Sequence, residues 1–148
     1  MQAREIMTPN LACCTPSDSI HSIAKVMAEC NIGMLPVVES QQTKRLIGVV
    51  TDRDIVCRID ANGKNCATAT VQDAMTTGKL WTVKPTDDVN NVIKEMEEGQ
   101  IRRIPVVDDG GNLVGIIATA DIALKLKDAQ AVAGVFEDIS KPTHVPHA

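Results

Sequence analysis

A pattern of 19 residues running from Ile20 to Val38 returns from Val89 to Val107, and a repeat of that size restricts the chain to a fold built of two like units. Met27 recurs as Met96 and Pro36 as Pro105, each 69 positions on, with the apolar residues between them in step. The correspondence continues from Gly48-Val-Val-Thr-Asp-Arg-Asp-Ile to Gly115-Ile-Ile-Ala-Thr-Ala-Asp-Ile, where the spacing falls to 67 because the intervening turn is shorter.

Each copy spells the same order of elements. A short segment ending in Met-Thr (Glu5 to Thr8, Asp73 to Thr76) precedes an extended stretch, Leu11 to Thr15 or Leu80 to Lys84. Pro16-Ser-Asp and Pro85-Thr-Asp then read as helix-start signals, since their oxygens can accept from the free amides of a first turn. Ile20, Ile23, Val26, Met27 and Cys30 recur at helical spacing, as do Val89, Val92, Ile93 and Met96. Leu35-Pro-Val-Val and Ile104-Pro-Val-Val are β-branched runs just after a proline, which is acceptable at a strand's start. A polar turn returns each run into Leu46-Ile-Gly-Val-Val or Leu113-Val-Gly-Ile-Ile, predicting a hairpin, and a second helix opens at Thr51 or Thr119. The unit is therefore β-α-β-β-α and the fold class α+β, an α/β sandwich-like arrangement. The sequence divides as 1–66, 67–128 and a C-terminal helix with a frayed tail over 129–148, where Val132, Val135, Phe136 and Ile139 form an apolar stripe suited to a neighbouring subunit or to capping the core. His144 and His147 lie in that tail without a carboxylate or cysteine beside them, and read as solvated residues rather than metal ligands.

The formal charge of −4 and the absence of a long basic run disfavour broad binding to nucleic acid. No apolar run approaches the ~20 residues that cross a bilayer, so a cytoplasmic protein without membrane partners is expected. Five cysteines, an odd number with no Cys-x-x-Cys spacing, suit reduced thiols used as small apolar fillers. Three histidines with no serine, cysteine or carboxylate in a triad pattern, and no P-loop glycine sequence, give no reason to expect an enzyme.

Met-Thr, Pro-x-Asp, the apolar helix, the Pro-Val-Val strand and Gly-x-x-x-x-x-Asp-Ile, each present twice and in one order, together resemble the CBS domain family, named after cystathionine β-synthase. The resemblance spans roughly residues 6–127. It implies a tandem pair of CBS units related by a pseudo-two-fold axis, a homodimer, and a regulatory module that binds an adenosine-containing ligand and signals to an effector protein of unknown identity. AMP, ADP, ATP and S-adenosylmethionine are the implied ligands; no other cofactor is required.

The same resemblance assigns roles residue by residue. Asp54 would hold ribose hydroxyls, Thr51 would meet ribose or phosphate, and Val49 would present its backbone to the base. In the second copy Ile116 and Asp121 match Val49 and Asp54, whereas Ala118 replaces the hydroxyl residue and Thr119 stands beside it. Arg102 and Arg103 resemble a basic pair that meets phosphate, and the first copy has Gly33 and Met34 there, with Met34 placed to lean on adenine. Trp81, which answers to Ala12, lines an adenine slot or packs in the core.

Competing structural readings accompany these roles. Thr51-x-x-Asp54 is nearly a capping box, so cap and ligand stand level there. Asp121, kept opposite an alanine that cannot cap, tips the balance toward a second duty. Arg102 and Arg103 could instead be a solvated pair facing Asp108, Glu97 or Glu98, but their interruption of an apolar run at the strand start favours phosphate. The alternative function is a ligand-free structural module for dimerisation and protein interaction.

Overall fold

The computed structural model describes residues 1–9, 11–126, 133, 134, 136 and 137. In chain order the elements are α1 (Ala3–Ile6), α2 (Ile20–Cys30), β1 (Met34–Val38), β2 (Leu46–Thr51), α3 (Asp52–Asp54) running on as a π-helical stretch Ile55–Asp60, α4 (Val71–Ala74), α5 (Val89–Gly99), β3 (Arg103–Val107), β4 (Leu113–Ala118) and α6 (Thr119–Leu126). They form two compact units. The first comprises residues 10–80 and 107–113; the second comprises 1–9, 81–106 and the chain from Val114 onward.

In the first unit β1 and β2 pair antiparallel from Met34 opposite Thr51 to Val38 opposite Leu46, with a bulge between Val37 and Val38. The hairpin turn is extended by the tip of the later hairpin, because Leu46 N–H donates to Gly111 O at 3.1 Å and Leu113 N–H to Lys44 O at 2.8 Å. Ile20, Ile23 and Met27 on one face of α2 enter a core with Leu35, Val37, Val50, Ile59 and Val71. Each such aliphatic side chain, once buried, contributes roughly 1.5–3 kcal/mol.

The second unit repeats this plan with β3 paired to β4. Val89, Val92 and Met96 of α5 pack with Ile104, Val106, Ile117 and Ile122, and Trp81 lies partly buried against that cluster. Both long helices end on a residue in the left-handed region, Asn31 at φ 53° and Gln100 at φ 49°, and both then return an amide to the last turn, Ile32 to Met27 O and Ile101 to Met96 O.

The leading strand of each copy is far shorter than expected. It amounts to one parallel bridge, Cys14 to Val37 in the first unit and Val83 to Val106 in the second. Proline explains the brevity at both ends. Cys14 N–H donates to Pro36 O and Val38 N–H to Cys14 O; the next bonds of a parallel ladder would need donors at Pro36 and Pro16, which have none. Pro105 and Pro85 bracket Val83 in the same way.

The helix starts also shift. Asp18 and Asp87 close the preceding turns, accepting from Thr15 N–H at 2.9 Å and Lys84 N–H at 2.8 Å. The true N-caps are Ser19, which accepts from Ser22 N–H, and Asp88, which accepts from Asn90 N–H.

The Met-Thr segments are exchanged relative to the sequence repeats. Thr8 pairs with Ile116 through two bonds of 2.8 and 3.1 Å, while Thr76 pairs with Val49 through bonds of 2.8 and 3.1 Å. The short helices follow: Ala3 and Arg4 amides donate to Asp87 O and Pro85 O, and Val71 and Gln72 amides donate to Asp18 O and Pro16 O. The opening segment of the chain thus completes the unit of the second repeat, and the segment ahead of the second repeat completes that of the first. The free edges of β2 and β4 require a partner, and Gly48 and Gly115 let one approach. Contiguous boundaries at 1–66 and 67–128 describe the repeats; the compact units are a different partition. The expected C-terminal helix and tail over 129–148, with His144 and His147, fall outside the described residues save Ala133, Gly134, Phe136 and Glu137.

Candidate functional site

In the first unit the sequence-selected residues gather at the end of the hairpin. Met34 and Thr51 are register partners, and β2 alternates so that Ile47, Val49 and Thr51 share its half-exposed face. Thr51 is the N-cap of the helix that follows. Its hydroxyl accepts from Asp54 N–H at 3.0 Å, and Asp54 Oδ2 accepts from Thr51 N–H at 3.0 Å, a complete capping box. Asp52 N–H donates to Gly33 O at 3.0 Å, which ties the helix start to the strand start. A Cβ at Gly33 would stand 3.0 Å from Asp52 Oδ2, the end of an exposed side chain.

The other oxygen of Asp54 faces a residue that sequence reading passed over. Arg58 Nε lies 3.8 Å from Asp54 Oδ1, and the same guanidinium donates through one terminal nitrogen to Ala74 O at 3.1 Å and Met75 O at 3.0 Å. The signal was present as Asp-x-x-x-Arg, the spacing that sets two side chains on one helical face. A cleft of about 460 Å³ in this unit is lined by Pro16, Ile47, Gln72, Met75 and Thr77, none of them selected from sequence.

The second unit carries the matching group with different chemistry. Asp121 Oδ2 accepts from Ala118 N–H at 2.8 Å, and Thr119 N–H donates to Arg102 O at 3.0 Å. Thr119 is buried at the start of α6. Ile116 is also buried and offers its backbone to Thr8. Arg102 is exposed and Arg103 half-buried; among the described residues neither makes an ion pair, so the solvated pairing with Asp108, Glu97 or Glu98 is absent there.

One inference from sequence needs correction. Asp121 caps a backbone amide even though residue 118 is alanine, because the carboxylate half of a capping box needs only the N–H of the N-cap residue. Its presence without a hydroxyl partner therefore does not by itself argue for a ligand. What separates the two carboxylates is their second oxygen: Asp54 Oδ1 faces Arg58, whereas Asp121 Oδ1 has no hydrogen bond among the described residues.

Burial rather than reactivity governs the adjacent thiols. Cys14 sits in the core with its pKa pushed up to about 12, chiefly by desolvation, and Cys13 is raised for the same leading reason. Among the described residues no group of three or more His, Cys, Asp or Glu side chains is placed to hold a metal ion, and no helix is long and apolar enough to cross a membrane.

The family model of the CBS domain matches residues 3–61 and 71–128, one match for each repeat. The chain belongs to the CBS domain family. It is 34% identical over 93% of its length to the CBS domain-containing protein YhcV of Bacillus subtilis, of which it covers 94%. The crystal structure of Hypoxic Response Protein I with two coordinated zinc ions is similar at a TM-score of 0.76 and 35% identity, over 85% of this chain and 99% of that one. CBSX2 in complex with AMP is similar at 0.73 and 29% identity, over 86% and 98%. This tandem CBS chain thus shares its α+β fold with those structures.

Proposed function

We propose that this CBS pair is a regulatory module that binds an adenosine-containing ligand and passes the bound state to a partner protein, without catalysing a reaction. The observation that carries the reading is the pair of arginines, Arg102 and Arg103, without an ion pair among the described residues, where the Arg102 carbonyl accepts from Thr119 N–H at the start of the helix that carries Asp121, whose Oδ1 has no hydrogen bond among the described residues. Cations and a carboxylate on two segments joined by a backbone bond suit a nucleoside phosphate: the arginines meet the phosphate and the carboxylate accepts from ribose hydroxyls. The AMP complex of CBSX2, a structural relative, supports the same ligand class.

In the first unit Thr51, Asp54, Val49 and Met34 form the corresponding group, with glycine and methionine where the second has arginines. The two sites therefore differ in phosphate preference. The second takes AMP, ADP or ATP; the first, with Met34 against the base, suits a ligand without phosphate such as S-adenosylmethionine. A homodimer in the cytoplasm is part of this reading, with the effector a separate polypeptide.

Isothermal titration with AMP, ATP and S-adenosylmethionine tests it. Micromolar binding that Asp121→Ala weakens more for AMP than Asp54→Ala does is the expected result. Absence of heat and of any rise in melting temperature with all three ligands overturns it and leaves the ligand-free interaction module.

A further inference from the structure

We propose that Arg58 is a positioning residue that ties the Asp54 carboxylate to α4, so that the first unit reports the state of its site to the segment entering the second repeat. Three contacts meet on one guanidinium: Asp54 Oδ1 at 3.8 Å, Ala74 O at 3.1 Å and Met75 O at 3.0 Å. The two carbonyls terminate α4, where free C=O groups and the negative end of the peptide dipoles favour a cation. Immediately beyond them Thr76 pairs with Val49, and the chain passes into the second unit at Trp81.

Arg58 lies within the π-helical stretch from Ile55 to Asp60, four residues after Asp54. Asp54 is only 16% exposed at its side chain, so the charge facing Arg58 is shielded from water on most sides. Among the described residues the second unit has no such tie. Lys125 stands in the position of Arg58, is exposed, and makes no ion pair with Asp121 among the described residues. A single ammonium could not span two carbonyls and a carboxylate in the way a planar fork does.

The physical consequence is coupling in both directions. A ligand that fixes the Asp54 carboxylate also fixes Arg58, and through it the end of α4; a loosened α4 in turn frees Arg58 and weakens the hold on Asp54. This inference rests on the assignment of Asp54 to the ligand for its final arm only.

Amide hydrogen exchange at Met75 and Thr76 provides the test, with the β1–β2 amides as an internal check of folding. In the protein without ligand, Arg58→Gln and Asp54→Asn should each speed exchange at Met75 and Thr76 several-fold. Asn keeps one oxygen for the cap and turns its amide NH2 toward Arg58, so the charge and the acceptor that face the guanidinium are lost together. The double variant should be no faster than the faster single one, and Asp121→Asn should leave both amides unchanged. Additive effects, or no effect of Asp54→Asn, overturn the tie. With saturating AMP or S-adenosylmethionine, exchange at the two amides should slow in the parent protein and not in Arg58→Gln; equal slowing in both also overturns it. If neither ligand binds the parent protein, the ligand reading fails while the ligand-free arms still decide the role of Arg58.

Discussion

Trp81 lies across the α-carbon of Gly99 so closely that a methyl group there would stand 2.9 Å from indole Cγ and Cδ2. The first repeat carries Ala12 and Cys30 at the same two places, both exposed. The clash predicts that Gly99→Ala destabilises by about 1–3 kcal/mol despite the better helix propensity of alanine. In a Trp81→Ala background the same change should become neutral or stabilising, a reversal of sign readable by urea unfolding monitored by circular dichroism.

Ile6 is buried in the core of the second unit although it lies 75 residues before Trp81 in the chain. Ile6→Ala should cost about 2–5 kcal/mol, as large-to-small core changes do. Trp81, the only tryptophan, reports the event: its fluorescence transition should move to lower urea, and an unchanged midpoint would place Ile6 outside that core.

Gly48 and Gly115 are equivalent in sequence but not in what surrounds them. A Cβ at Gly48 meets the backbone oxygen of Thr76 at 2.7 Å, whereas at Gly115 the nearest atom is the flexible Met7 sulfur at 2.6 Å and the Thr8 oxygen lies at 3.1 Å. Gly48→Ala should therefore lower the melting temperature more than Gly115→Ala, and the reverse order would contradict the strand pairing described here.

Cys14 gives a pH dependence with a definite sign. Its pKa is raised by burial to about 12, so between the ordinary thiol value of about 8.5 and pH 12 the unfolded chain loses a proton that the folded one keeps. Stability is fully present below about pH 8.5 and declines as pH rises toward 12. Replacing Cys14 with alanine should flatten that decline even though it lowers stability at pH 7, measured as urea midpoints across the alkaline range.

Arg102→Ala and Arg103→Ala should each weaken AMP about tenfold, the effect of losing one charge-assisted bond worth about 1.5 kcal/mol, and should leave adenosine affinity nearly unchanged. Equal losses for both ligands would remove the phosphate role.

Much of this architecture was legible because the repeat doubled every signal. The apolar spacing of Ile20, Ile23 and Met27 gave α2, and the turn after Val38 gave the hairpin, since both depend on neighbours in the chain. The leading strands were over-read: residues 11–15 have strand composition, but the ladder is cut by prolines in its own partner and just beyond its end. The exchange of the Met-Thr segments left no trace in local pattern because Thr8 and Thr76 sit in like contexts and either could meet either edge. At the candidate site, Asp54 and Asp121 were selected by their motif, and the structure places each in the first turn of the helix after its hairpin. Arg58 was passed over because two of its three partners are backbone carbonyls, which carry no side-chain signature, and only the Asp-x-x-x-Arg spacing pointed to it.

Because Thr8 completes the edge of β4 and Thr76 that of β2, neither half of this gene product is self-sufficient when cut at residue 66. A fragment holding only the later half would display an unclosed β-edge at Ile116 and would recruit the missing strip from another molecule, whereas a permuted chain that starts near residue 10 and carries its first nine residues on a tether would not. Ancestry by duplication and autonomy in folding are in this protein counted in different units, with the seam of one falling inside the other.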